Sequence, residues 1–304
     1  MKKILIFLFL GILIRSCSQK SSQNLEWIPF VWESGSDWGK YIEKMAINIP
    51  VTIDELPYKF TMQLDLGTYT TGFYIHSLKP FLEKYPSLKN KLDTSKYRVQ
   101  SVNLQLGKVV FRDIDVGLYD EGTEHSLDSI NFETEIHIGA VGADFVQNKV
   151  VIIDYKLSRF AIVDILPTEY QNVSFEKFKI DRGLIKIPFR INGNMEYLLF
   201  DTGGSYFSMA TTKQNALAIG GTEIVDSLMA KTWGNNYIIF FGLEIVSPIM
   251  FGSKTLENSI VYYTEGKGFD DLYESLNIWG LAGNGYFLND VIIIDYKNNR
   301  FGVK

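Results

Sequence analysis

Two stretches of this chain repeat each other. Residues 139–162 read GAVGADFVQNKVVIIDYKLSRFAI, and residues 280–303 read GLAGNGYFLNDVIIIDYKNNRFGV. At a constant offset they share Gly139/Gly280, Gly142/Gly283, Asn148/Asn289, Val150/Val291 and Arg159-Phe160/Arg300-Phe301. They also share Ile152-Ile153-Asp154-Tyr155-Lys156 against Ile293-Ile294-Asp295-Tyr296-Lys297. Upstream of each lies one of a matched pair of short motifs, Leu64-Asp65-Leu66-Gly67-Thr68 and Phe200-Asp201-Thr202-Gly203-Gly204-Ser205. Each motif follows an alternating apolar run and puts one carboxylate at the end of a strand. Such a duplication calls for two similar halves, and halves with one Asp each can present two carboxylates about a pseudo-two-fold axis.

The periodicity is that of strands. Met45, Ile47, Ile49, Val51 and Ile53 alternate with smaller or polar residues, which is the period of a half-buried strand. Phe60 to Leu64 then delivers Asp65. In the second half Ile185, Ile187, Phe189 and Ile191 alternate, Asn192-Gly193 is a hairpin turn, and Tyr197 to Phe200 delivers Asp201. The Ile-Pro pair recurs at Ile49-Pro50 and Ile187-Pro188. Lys96–Val116 and Lys231–Val246 read as further strands and hairpins. Helical signals are confined to Leu78–Leu92, with Pro80 near its start, and to Thr211–Leu217. Aromatic residues make up 14% of the chain, which again favours strands. The expected fold is mostly β, with two similar lobes packed along a cleft. An N-terminal lobe spans 27–165, a connection 166–181 and a C-terminal lobe 182–304. Pro167 and the lack of periodicity mark the connection.

The N-terminus reads as a targeting segment. Lys2-Lys3 precede an apolar run from Ile4 to Ile14 that is too short to span a bilayer comfortably. Cys17 follows, then the Ser-rich tether 18–26. Cys17 is the only cysteine, so no intrachain disulfide can form. Its position resembles a bacterial lipoprotein signal, in which the thiol is lipidated and becomes the mature residue; Arg15 is unusual in such a signal. The alternative is a cleaved secretory signal with an incidental Cys. The expected location is the outer membrane or cell surface through a lipid anchor, otherwise periplasmic or secreted. The net charge is −5 and no Lys/Arg stripe occurs, which argues against a nucleic-acid partner.

A strand ending in Asp-Xaa-Gly suits a working carboxylate. The strand fixes the backbone, the Gly permits a tight turn, and backbone N–H groups can then approach the carboxylate. Two such turns meeting across an axis hold two carboxylates that cannot easily both ionise, so the pair shares a proton. One then acts as base on a water and the other as acid toward a carbonyl oxygen.

On these residues the chain resembles the pepsin-like and retropepsin-like aspartic proteases over residues 45–304. Phe200 to Ser205 is similar to that family's strand-plus-DTG signature. Ala140-Val141-Gly142 and Leu281-Ala282-Gly283 match its paired hydrophobic-Gly elements, and Ile278–Gly302 its C-terminal stretch. The resemblance implies an acid-protease fold of two lobes about a pseudo-two-fold axis. It implies Asp65 and Asp201 as the catalytic dyad, supported by Gly67, Thr68, Thr202, Gly203 and Ser205. It also implies peptide or protein substrates and no cofactor or metal. Two lobes in one chain remove the need for a dimer, so a monomer is expected. A flap over the substrate is expected too; Tyr97 and Trp233 are its candidates, each 32 residues beyond its Asp. The first motif departs from the pattern: Leu66 stands where the family has Thr or Ser, whose hydroxyl locks the two turns together. A catalytically inactive peptide-binding lipoprotein of the same fold is therefore the alternative.

Other candidates have structural readings. Asp154 and Asp295 each head a polar turn after an apolar strand, which is hairpin grammar. His76, His125 and His137 lack metal spacing. Asp113, Asp115 and Asp120 fit a solvated face. Gly203-Gly204 is not a phosphate loop, because no Lys follows.

Overall fold

The computed structural model describes residues 25–37, 39–232, 236–255 and 260–304. The fold is mostly β, with several large sheets. One sheet holds eight strands drawn from residues 31–141, in the order Val31–Asp37, Lys40–Ile53, Lys59–Leu64, Glu135–Val141, Gly72–Tyr74, Val109–Tyr119, Arg98–Leu106, Leu92–Asp93. A ten-stranded sheet is drawn from residues 179–282. A six-stranded sheet joins the ends of the chain. Val150–Asp154 and Arg159–Val163 lie in it beside Val291–Asp295 and Arg300–Val303.

The repeat is visible in the backbone. Val150–Asp154 and Val291–Asp295 pair antiparallel with each other, and Ile152 faces its repeat partner Ile293. A pairing centred on equivalent residues is a local two-fold axis. Ile153 and Ile294 point to the main core, whereas Ile152 and Ile293 point to a smaller cluster with Leu166 and Tyr170. Asp154 and Asp295 close the turns after these strands. Leu157 N–H donates to Asp154 at 3.1 Å and Asn298 N–H to Asp295 at 3.1 Å. Arg159 and Arg300 pair with the same two carboxylates.

The strand with the 45–53 alternation begins earlier, at Lys40. Its hairpin with Val31–Asp37 reaches the second half, where Met229 N–H donates to Asp37 at 2.6 Å and Lys40 pairs with Asp226. The expected connection carries strands of its own. Phe175–Lys177 joins the six-stranded sheet and Lys179–Asp181 pairs with Leu184–Ile191. Helices run over Ile75–Lys84, Pro86–Lys89, Lys213–Ile219 and Lys267–Leu276. The first two overlap the expected 78–92 region, the first beginning earlier at Ile75, and they split at Tyr85-Pro86 because a residue before proline disfavours the helical region. Thr212 caps the third, accepting from Asn215 N–H at 3.1 Å. The fourth was not expected. No helix among the described residues is long and apolar enough to cross a membrane.

Candidate active site

The strand before each Asp sorts its side chains by alternation. Phe60, Met62 and Leu64 enter the main core, which leaves Thr61, Gln63 and then Asp65 on the other face. Leu198 and Phe200 do the same on the second strand, leaving Tyr197, Leu199 and Asp201 opposite. Both strands lie parallel to the strand of their matched Gly element. Asp65 N–H donates to the Val141 carbonyl at 3.0 Å, and Asp201 N–H to the Ala282 carbonyl at 2.9 Å. Equivalent anchors therefore fix both loops.

The loops meet. A Cβ at Gly203 would stand 2.7 Å from Asp65 Cγ, and one at Gly67 would collide with Asp201 Oδ1. Each motif's Gly is thus the surface on which the other half's carboxyl rests. Gly67 and Thr68 N–H donate to Asp65 Oδ1 at 3.1 and 3.2 Å, and Gly203 N–H donates to Asp201 Oδ1 at 2.8 Å. Both Asp residues are half-buried. Burial first, then the charge of Asp201 and a hydrogen bond to it, hold the Asp65 carboxyl well above the usual range. Burial raises Asp201 as well, and the hydrogen bond from Asp65 and the N–H groups of Gly203 and Gly204 offset part of that rise. The pair therefore keeps a proton to a pH above the usual carboxylate range.

Thr202 ties the loops together. Its Oγ1, fully buried, donates to the Leu64 carbonyl at 2.7 Å and accepts from Leu66 N–H at 2.8 Å. Leu66 is also fully buried but packs in the main core, so the reciprocal tie is missing. A second asymmetry lies beneath. Asn284 Nδ2 donates to the Thr202 carbonyl at 2.8 Å and to Ser205 Oγ at 2.6 Å, while its Oδ1 accepts from the Tyr155 hydroxyl at 2.6 Å. At the repeat-equivalent positions stand Ala143 and Tyr296, and the buried Tyr296 hydroxyl has no partner. The Asp201 loop is thus braced by the Asn284 side chain, whereas the Asp65 loop is held by Ala143 N–H, which donates to the Thr68 carbonyl at 2.9 Å, and by the Asp144 carboxylate, which accepts from Thr71. Gln63 Nε2 adds one link across, donating to the Gly203 carbonyl at 3.3 Å.

Among the candidates from the sequence, Asp65, Asp201, Gly67, Gly203 and Thr202 come together. Thr68 reaches Asp65 through its backbone N–H, whereas its side chain pairs with Tyr119. Ser205 serves as acceptor for Asn284. Tyr97 sits in the turn before Arg98–Leu106, 75% exposed and at φ +50°, its carbonyl accepting from Leu118 N–H. None of the hydrogen bonds that build the pair involves it. Trp233 and Cys17 lie outside the described residues. Asn284, Tyr155 and Gln63 escaped the sequence reading. Asn284 had one available signal: it replaces Ala143 where the repeats are otherwise alike. No group of three or more His, Cys, Asp or Glu among the described residues could hold a metal ion.

No protein-family model and no curated protein matches this chain. The functional reading rests on the geometry.

Proposed function

We propose that this chain is an aspartic endopeptidase with two acid-protease-type lobes, residues 27–165 and 182–304, and a substrate cleft between them. One observation carries the reading: two carboxyls on repeat-equivalent loops meet, each resting on the other motif's Gly, where burial raises both pKa values. A structural turn has no need of such a pair, because burying two carboxylates together is costly unless they are used.

In this reading a water sits between the carboxyls. Ionised Asp201 takes a proton from it as its oxygen attacks the peptide carbonyl carbon, and Asp65 gives its proton to the carbonyl oxygen. The product is a neutral tetrahedral gem-diol. Asp201 then gives the proton it took to the amide nitrogen while Asp65 takes one from a gem-diol hydroxyl; the C–N bond breaks, releasing a carboxyl and an amine, and the pair returns to its singly protonated state. No covalent intermediate forms. In this reading the N-terminal signal exports the whole two-lobed chain, which is carried on a lipid at Cys17 and faces peptide or protein substrates as a monomer.

A hydroxyl-bearing peptide analogue of the gem-diol tests the site. It should bind the wild type at least about a hundredfold more tightly than Asp201→Asn. Equal affinity for the two proteins would refute the shared-proton site. Labelling with a palmitate analogue should tag the wild type and not Cys17→Ala; an untagged wild type refutes the lipid anchor.

Leu66 favours a second reading, a peptide-binding lipoprotein without catalysis, because it removes half of the tie between the loops. Tight analogue binding without any peptide cleavage would select it.

A further inference from the structure

The two sides of the carboxyl pair differ in chemistry. Beside Asp201, Leu199 lies in register with Leu281, and both belong to a buried apolar cluster with Phe207 and Tyr273 under the helix Lys267–Leu276. Beside Asp65 the equivalent position is Gln63, and its neighbours are polar and half-buried. Asn48 faces Gln63 across one strand pair, and His137 faces Thr61 across the other. The Tyr74 ring lies 5.4 Å from that of His137. Asn48 Nδ2 donates to the exposed Glu33 carboxylate at 3.4 Å.

This patch holds one exposed carboxylate, Glu33, and one acceptor without a partner, Asn48 Oδ1. Asn48 Oδ1 is buried with no partner, a state that is costly unless something binds there. Glu33 supplies a charge, and burial lowers the His137 pKa, so that ring stays neutral near pH 7. Glu33 and the Asp65–Asp201 pair make the surroundings unfavourable for an anion. A neutral apolar group would give the Glu33 carboxylate no charge partner beyond its single bond from Asn48. A side chain bearing several N–H donors and a positive charge pairs with the exposed Glu33 carboxylate beside Asn48 and Gln63.

From this geometry we infer that Glu33, Asn48 and Gln63 form a specificity subsite for an Arg or Lys side chain of the substrate, next to the scissile bond on the Asp65 side. The inference rests on the endopeptidase reading. It assigns the substrate class as peptides with a basic residue adjoining the cleaved bond.

The test uses the full chain and two quenched-fluorescence peptides that differ only in Arg against its neutral isostere citrulline, with that residue moved through the positions around the cleavage point. At one position the wild-type kcat/KM should favour Arg by about ten- to hundredfold, the range for a charged hydrogen bond. In Glu33→Gln that ratio should fall toward one. Glu33 is exposed, so the variant should keep its melting temperature, which is measured alongside. A wild type without preference at any position, or a ratio that Glu33→Gln leaves intact, overturns the subsite. If neither peptide is cleaved, the endopeptidase reading fails separately. The subsite is then read by titrating both peptides into Asp201→Asn with and without Glu33→Gln. An Arg preference lost with Glu33 upholds it, and equal affinities overturn it.

Discussion

Tyr155 and Tyr296 occupy equivalent places in the repeat, yet the same substitution should move them in opposite directions. Tyr155 donates to Asn284 Oδ1 at 2.6 Å, the lower end of the brace under the Asp201 loop. Tyr155→Phe leaves that buried oxygen unpartnered, a loss of about 1–3 kcal/mol. Tyr296 buries its hydroxyl with no partner, which costs about 1–3 kcal/mol by comparison with mutational data. Tyr296→Phe removes that cost and should be neutral or stabilising. Both rings are almost wholly buried and lose no carbon atoms in the change. The two variants should differ by about 3 kcal/mol, or roughly 6–12 °C in Tm at about 2–4 °C per kcal/mol. Burial drives both phenols upward in pKa, so the difference should not vary between about pH 5 and 8. Thermal unfolding of the two variants and the wild type is the assay. Equal losses, or a Tyr296→Phe protein less stable than Tyr155→Phe, would refute the reasoning about the brace.

Thr202→Val keeps the shape but leaves Leu66 N–H and the Leu64 carbonyl without their partner, and should cost about 2–4 kcal/mol. Thr202→Ser keeps the hydroxyl and should cost under about 1.5 kcal/mol; denaturant melts giving equal values would remove the tie from the account. The raised pKa values of the pair also set a pH dependence. The native state holds a proton that the unfolded chain releases above about pH 4, so the pair weakens the fold as pH rises from there toward its own pKa. Asp201→Asn should therefore gain Tm relative to wild type as pH rises from 4, and a difference that stays flat from pH 3 to 7 contradicts this.

Local patterns were legible in the sequence wherever one face of a strand is buried. Ile47, Ile49, Val51 and Ile53 alternate in the sequence and are all buried in the structure. The strand's polar start at Lys40–Lys44 carried no such signal, because Asp226, the partner of Lys40, lies far along the chain. The helix Lys267–Leu276 spaces Phe269, Tyr273 and Leu276 at helical intervals, but it starts at Gly266 without a capping side chain, so no start signal announced it. In the candidate site, Asp65, Asp201 and their glycines were readable because the repeat names each of them twice. The supports were harder to read because they break the repeat. Asn284, against Ala143, matters through the Asp201 loop and Tyr155 of the other half, and Gln63, against Leu199, through the opposite loop; sequence spacing does not reveal those contacts.

The central claim is that Asp65 and Asp201 together hydrolyse peptide bonds. Its most direct measurement is cleavage of a diverse peptide mixture by the purified wild type, Asp65→Asn and Asp201→Asn, followed by mass spectrometry from pH 3 to 8. The account predicts wild-type cleavage that falls at both ends of the range, reporting two apparent pKa values of the pair, and none in either variant, because the dyad acts as a unit. Cleavage surviving in Asp201→Asn, or a well-folded wild type that cuts nothing at any pH, would contradict it.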